Sequence, residues 1–348
     1  MALEELLEVI FDGFPIDVHS TEALMLPRLQ PDTRVYSVNT GSSLFLGGSY
    51  IGMPHIIDSG AGRRIACHPH IVGAELEWLS MECAIELRTA LRGLCVNLEG
   101  LGILHILRGA PGYWLAPTFP GVPVFTVRTE YREDGYRAHS DDSRRIEVTF
   151  RDYPSGVETH EISTLLIPDT YATGMSAETS LRDLLGAGLE PGRVILYGFL
   201  AIPALLRLGR LCQEHDIELL SFAICDITQL AHNNYDMPLY GPDESLFSEI
   251  GEVRAMGSIV DVDTLGGMLP EYVAGLDQPG DWSERHLRLF NGVVDEDGDI
   301  EGHLRKSLGI IESLKGLNSG QPWYSRFHEG IALREARRLS ETLSRFIR

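Results

Sequence analysis

Lysine is almost missing from this chain: of 29 basic residues only Lys306 and Lys315 are lysines, and arginine supplies the rest. A bias that wide reads as a property of the whole composition and not of one site, although the planar guanidinium fork does suit phosphate. Basic charge is scarce altogether, 29 residues against 50 acidic ones for a formal net charge of −21. That excludes a nucleic-acid partner, which needs a basic footprint, but leaves room for a small basic pocket. The five cysteines (Cys67, Cys83, Cys95, Cys212, Cys225) are odd in number and form no Cys-x-x-Cys pair. A metal knuckle and a disulfide framework both fail on that spacing, so reduced, mostly buried thiols are expected. No apolar run approaches the ~18 residues that cross a bilayer. The opening Met1–Phe14 is acidic and amphipathic and lacks the pattern of a signal peptide, so a cytoplasmic location is expected.

Two short motifs are also incomplete. His68-Pro69-His70 has no third ligand at recognisable spacing and reads as a structural turn. The acidic run from Asp295 to Glu301 has its glycine at the fourth position, where a calcium loop needs it at the sixth, and reads as a solvated loop.

What is present is an α/β alternation. Apolar runs at 101–107, 122–127, 161–167, 193–200 and 217–224 read as strands. Helical spacing marks 74–94, 176–188 and 202–216, so strand–helix–strand order predicts parallel strands with right-handed crossovers. Residues 144–162 alternate with period two around Pro154-Ser155-Gly156 and predict an antiparallel hairpin projecting from the sheet. Three further helices are expected at roughly 284–291, 302–315 and 329–346. The organisation is thus an N-terminal extension (1–60), an α/β core (61–250) and a helical C-terminal region (251–348).

Four segments carry chemistry. In the first, strand residues Leu165–Ile167 lead through Pro168, Asp169, Thr170 and Tyr171 to Ala172-Thr173-Gly174-Met175-Ser176 and a helix. A small-residue loop opening a helix at a strand's carboxyl end offers N–H groups and hydroxyls to a phosphate, and Asp169 can accept from ribose hydroxyls. An ordinary strand-to-helix turn remains the alternative. The second segment ends a strand in Arg108-Gly109-Ala110-Pro111-Gly112, where guanidinium and backbone can meet an anion. The third, Arg128 to Asp134, contains Arg132 at the base of the expected hairpin. The fourth runs from Asp226 through Tyr235-Asp236-Met237-Pro238 and Gly241 to Asp243.

Taken in order over about residues 65–250, these segments resemble the type I phosphoribosyltransferases, most nearly the uracil phosphoribosyltransferases. The resemblance rests on Ala172-Thr173-Gly174 as the loop for phosphoribosyl pyrophosphate (PRPP), on Ile106-Leu107-Arg108 before small residues, on Tyr131-Arg132-Glu133, and on the register of Tyr235, Pro238 and Gly241. The family's Asp-Pro before the loop stands here reversed as Pro168-Asp169, and the base loop also departs, at Asp236, Leu239 and Pro242. The resemblance implies a parallel sheet flanked by helices with a hairpin hood, and Mg²⁺-dependent transfer of ribose 5-phosphate from PRPP to uracil or another nucleobase. It implies Arg108, Arg132 and Asp169 as catalytic residues, and Gly109, Thr170, Ala172, Thr173, Gly174, Met175 and Ser176 with them around PRPP. Tyr235, Asp236, Met237, Pro238 and Gly241 would line the base, Asp169 or Asp243 would meet Mg²⁺, and a homo-oligomer is expected. The runner-up, to which the altered acidic positions and base loop point, is a non-catalytic PRPP- or nucleotide-sensing protein on the same fold.

Overall fold

The structure, a computed structural model, describes residues 3–45, 51–132, 145–157, 159–245 and 254–347. Its centre is a large, mostly parallel sheet flanked by helices on both faces. Chain order begins with α1 (Leu3–Gly13), β1 (Thr21–Leu24), β2 (Arg34–Val38), β3 (Met53–Asp58), α2 (Gly60–Cys67) and α3 (Ala74–Gly93). It continues with β4 (Leu101–Leu107), one-turn α4 (Leu115–Thr118), β5 (Val124–Arg132), β6 (Arg145–Asp152) and β7 (Thr164–Tyr171). Then follow α5 (Met175–Gly186), β8 (Arg193–Ala201), α6 (Ile202–Glu214) and β9 (Glu218–Thr228). Beyond them lie short strands β10 (Gly241–Pro242), β11 (Ala255–Met256) and β12 (Ser258–Ile259), with α7 (Val262–Met268). The last elements are β13 (Arg288–Phe290), β14 (Asp295–Asp297), α8 (Ile300–Asn318) and α9 (Arg326–Phe346).

Strands β3, β9, β8, β7, β4 and β5 lie side by side in parallel, and β1, β2, β6 and β12 join them antiparallel. Segment 1–60 therefore supplies three strands to the same sheet. The inner strands read as unbroken apolar runs because both of their faces are covered. In β4, Ile103 belongs to the core cluster that also holds residues of α2, α3, α8 and α9, while Leu104 and Ile106 belong to the one that holds residues of α5 and α6. Helix α9 buries Ile331, Ala332, Leu339 and Leu343, whereas Leu333 and Phe346 are exposed.

Two expectations are corrected. The hairpin is formed by β5 and β6, with a register shift between Arg128 and Thr129, and not by two arms around Pro154. The alternating burial of β6 gave the strand, but period two carries no information about the partner. Residues 284–291 are not a helix: a 3₁₀ turn (Trp282–Arg285) runs into β13. Among the described residues no helix is long and apolar enough to cross a membrane. Cys95 is exposed and the other four cysteines are buried, all five as free thiols.

That 3₁₀ turn is fixed by Arg285, which is fully buried. Its five hydrogen bonds all go to main-chain carbonyls: Nε and Nη2 to Ile71 (both 3.1 Å), Nη1 to Pro279 (2.9 Å), and Nη2 to Ile65 (3.3 Å) and His68 (3.0 Å). Burial lowers its pKa to about 10, which still leaves it charged at neutral pH. Each carbonyl left without a donor costs about 1–3 kcal/mol, so Arg285→Leu should lower the unfolding free energy by at least about 3 kcal/mol in urea titrations. Arg285→Lys, with three donors at one point, should recover little of the loss. Wild-type stability in Arg285→Leu would refute this account.

Candidate functional site

The carboxyl ends of β4 and β7 define the site. After β4 the chain moves outward to β5 and β6, and after β7 it moves the other way to β8 and β9, so the order reverses between these two strands. Open α/β sheets bind ligands at such a reversal. The reversal is also a physical opening, because β7 pairs with β4 only from Thr164 to Leu166. Pro168, which has no N–H to give a ladder, follows where β7 has no β4 partner. A cleft of about 440 Å³ fills the gap.

One rim is the turn into α5. Gly174 caps that helix in the left-handed region (φ 76°), and a Cβ there would lie 3.0 Å from Ala204 Cα, so glycine is required on both counts. Thr173 Oγ1 accepts from the N–H of Met175 (3.4 Å), and the Thr173 carbonyl accepts from Arg207 Nε (2.9 Å). The floor is Asp169 and Thr170; Asp169 Oδ1 accepts from the N–H of Thr170 (2.8 Å), and Thr170 Oγ1 bonds the Tyr113 hydroxyl (2.7 Å). Asp169 lines the cleft, and its withdrawal from bulk water pushes its pKa up to about 7.

The opposite rim is the turn after β4. The Leu107–Arg108 peptide is cis. Arg108 is engaged by two acids from the C-terminal region: Nη2 pairs with Glu284 and Nη1 with Glu296 at 2.8 Å. Trp282 lies over this turn, its Nε1 donating to the Gly109 carbonyl (3.0 Å) and its rings stacked on Tyr113 (centroids 4.4 Å, 26° between planes). A Cβ on Gly109 would come within 3.3 Å of the indole, so a larger residue there would press on Trp282.

The C-terminal region thus builds a wall that sequence reasoning missed. Asp277, Asp281, Trp282, Ser283 and Glu284 line the cleft, with Asn234 from the preceding loop. Burial and the nearby Asp236 raise the Asp277 pKa well above the ordinary range, although its Oδ1 accepts from the N–H of Met237 (2.7 Å). Burial would raise Asp281 too, but His303 and Lys306, whose Nζ lies 2.7 Å from Oδ1, outweigh it and hold the carboxyl at about 2.

Of the residues singled out from sequence, Arg108, Gly109, Asp169, Thr170, Ala172, Thr173, Gly174, Met175, Ser176 and Tyr235 line this one cleft. The others lie elsewhere or beyond description. Asp236 accepts from Asn233 Nδ2 (2.9 Å), Met237 is buried, Pro238 bridges to Asp277, and Gly241 abuts the backbone of Ala274 and Gly275. Asp243 is buried away from the cleft and accepts from the N–H of His232 (2.8 Å) and the Ser245 hydroxyl (2.6 Å). Arg128 donates to the Asn291 carbonyl (2.7 Å). Arg132 ends β5, but its side chain, like residues 133–144, lies outside the described residues.

No protein-family description matches the chain, and no curated protein matches it. Among solved structures the chain is similar to the AQ2163 protein from Aquifex aeolicus, with 16% identity and a TM-score of 0.38 over 51% of this chain and 86% of that one.

Asp169 gives the cleft a measurable pH signature. Its folded pKa of about 7 stands above the ordinary 3.8, so between about pH 4 and 7 the folded protein keeps a proton that the unfolded chain has lost. Stability therefore falls through that window as pH rises. Asp169→Asn should match wild type near pH 4 and exceed it by a few kcal/mol above pH 7. A pH-independent difference between the two unfolding curves would contradict the shift.

Proposed function

We propose that the cleft holds the ribose 5-phosphate group of PRPP and that the protein, on a phosphoribosyltransferase-like fold, transfers it to a nucleobase. The observation that carries this reading is the meeting of two turns across the β4–β7 opening, Arg108-Gly109 on one side and Thr173-Gly174 entering α5 on the other, with Asp169 between them. A helix N-terminus with a small-residue turn suits the 5-phosphate. Asp169 suits the ribose hydroxyls, and Arg108 suits the pyrophosphate. Tyr235 at the cleft's edge suits the base. In the transfer the bond from the anomeric carbon to pyrophosphate breaks and a bond from that carbon to a ring nitrogen forms. The nitrogen loses its proton, and pyrophosphate departs. The protein's part in such a reaction is positioning and charge stabilisation.

The donor set also fits Mg²⁺, which is held by one or two carboxylates together with substrate phosphates. Asp169 supplies a hard oxygen on the cleft floor, in a lining where Asp281 and Glu284 leave an excess of negative charge over Arg108. A bound cation would offset that excess and neutralise the leaving pyrophosphate. A base-salvage activity of this kind accords with a cytoplasmic, oligomeric protein.

One observation favours a second reading, a sensor that binds PRPP or a nucleotide without turnover: Arg108 is paired with Glu284 and Glu296, where a pyrophosphate would have to compete. Calorimetric titration with PRPP and Mg²⁺, repeated over a panel of bases and nucleotides while pyrophosphate is assayed, separates the two. Binding with base-dependent release is the expected result; nucleotide binding without release supports the sensor, and no binding of either removes both. Losing one charge-assisted contact costs about 1.5–3 kcal/mol, so Arg108→Ala should weaken PRPP binding by at least about tenfold. The pair Glu284→Gln and Glu296→Gln should strengthen it several-fold, and unchanged affinity in these variants would remove Arg108 from the anion site.

A further inference from the structure

Away from the cleft, three side chains converge that the sequence keeps far apart. His68 and His70 stand on the turn after α2, and Glu335 lies on the inner face of α9 with 1% of its surface exposed. His68 Nδ1 is 2.9 Å from Glu335 Oε2, and His70 Nδ1 is 2.5 Å from Oε1. One donor atom from each residue falls within 4.8 Å of the others. Behind His68, Nε2 faces Glu271 Oε2 at 3.6 Å. The remaining charge is Arg338, partly exposed, whose Nη1 lies 3.1 Å from Glu271 Oε2, 3.4 Å from His68 Nδ1 and 3.6 Å from Glu335 Oε2.

Two imidazoles and one carboxylate, with a carboxylate behind one imidazole, are the donors of a borderline-soft divalent cation. We propose that His68, His70 and Glu335 bind one divalent transition-metal ion of the Zn²⁺ class, and that the ion pins α9 to the turn after α2. Zn–N and Zn–O bonds of about 2.0–2.2 Å place tetrahedral ligand atoms about 3.4 Å apart. Glu335 reaches that spacing by a small retreat of its carboxylate from the two rings. Coordination through both Nδ1 atoms moves the ring protons to Nε2, and in His68 that N–H points at Glu271, the outer-shell partner that orients a metal-bound imidazole. The side chain of His70 is 18% exposed and gives the cation its entry and a water its place as fourth ligand. Arg338 turns outward to solvent as the positive charge arrives.

The test uses the full chain, stripped with a chelator, dialysed, and titrated with Zn²⁺ by calorimetry, with metal content measured after gel filtration. One equivalent should bind and raise Tm in proportion to the logarithm of free Zn²⁺, while Mg²⁺ and Ca²⁺ do neither. His70→Asn, on a half-buried turn that tolerates the change, should weaken Zn²⁺ binding at least a hundredfold with an unchanged circular dichroism spectrum. Glu271→Gln should weaken it about tenfold through the outer shell. If wild type takes up no stoichiometric Zn²⁺, or if His70→Asn binds as wild type does, the cluster is a hydrogen-bonded latch and the proposal is wrong.

Discussion

Arg285 is a cation placed where no water reaches it, and four of its five hydrogen bonds go to backbone oxygens more than 200 residues away in sequence. Burying a charge this way is tolerated only when nearly every donor finds an acceptor, which fixes the geometry of all the partners at once. The consequence reaches the cleft. With Arg285 locked between α2 and the turn at Ile71, the residues on either side of it have one place to go. Trp282 comes down on Gly109, Glu284 meets Arg108, and His286 settles against Gly112. The wall of the cleft thus depends on an interaction that does not itself touch the cleft.

The same arrangement sets the electrostatics. Acidic groups crowd the C-terminal side of the opening, and they respond differently to it. Asp281 stays ionised beside Lys306, while Asp169 and Asp277 hold protons more tightly because burial penalises their charged forms. A carboxyl poised near neutrality has little to lose by meeting a hydroxyl or a cation, since either relieves the burial that raised it. Asp226, raised to about 7 by burial, is instead bonded by Gln278 Nε2 (3.0 Å) in the interior, so a raised carboxyl by itself does not mark the site. What distinguishes Asp169 is that it faces open volume.

How far the sequence carries can be judged element by element. Strands β4, β7, β8 and β9 were legible because burial on both faces leaves uninterrupted apolar runs between turn residues. Helices α3, α5, α6, α8 and α9 were legible from helical spacing, with ends displaced by at most three residues. The two rims of the cleft were legible because each is local: Thr173-Gly174 and Arg108-Gly109 carry their chemistry in consecutive positions. The partner of β6 was not, since alternation says which face is buried and nothing about what lies alongside. Residues 284–291 look helical in composition but are claimed by Arg285 and by pairing between β13 and β14. The wall from Asp277 to Glu284 had no local signal at all. Its residues matter through contacts some 170 residues distant, and the same holds for Glu335, which stands 265 residues beyond His70.

The wall has a consequence for the order in which the protein can become competent. A ribosome delivers β4, β7 and the two rims well before Trp282 and Arg285 emerge. During that interval the growing chain holds an opening with one side missing, and the turn after α2 carries carbonyls awaiting a donor. Loops of this length are closed late, because their entropy must be overcome before any contact rewards it. The cleft is therefore completed only at the end of synthesis, and until then the nascent sheet passes through a period in which its central opening lacks one wall.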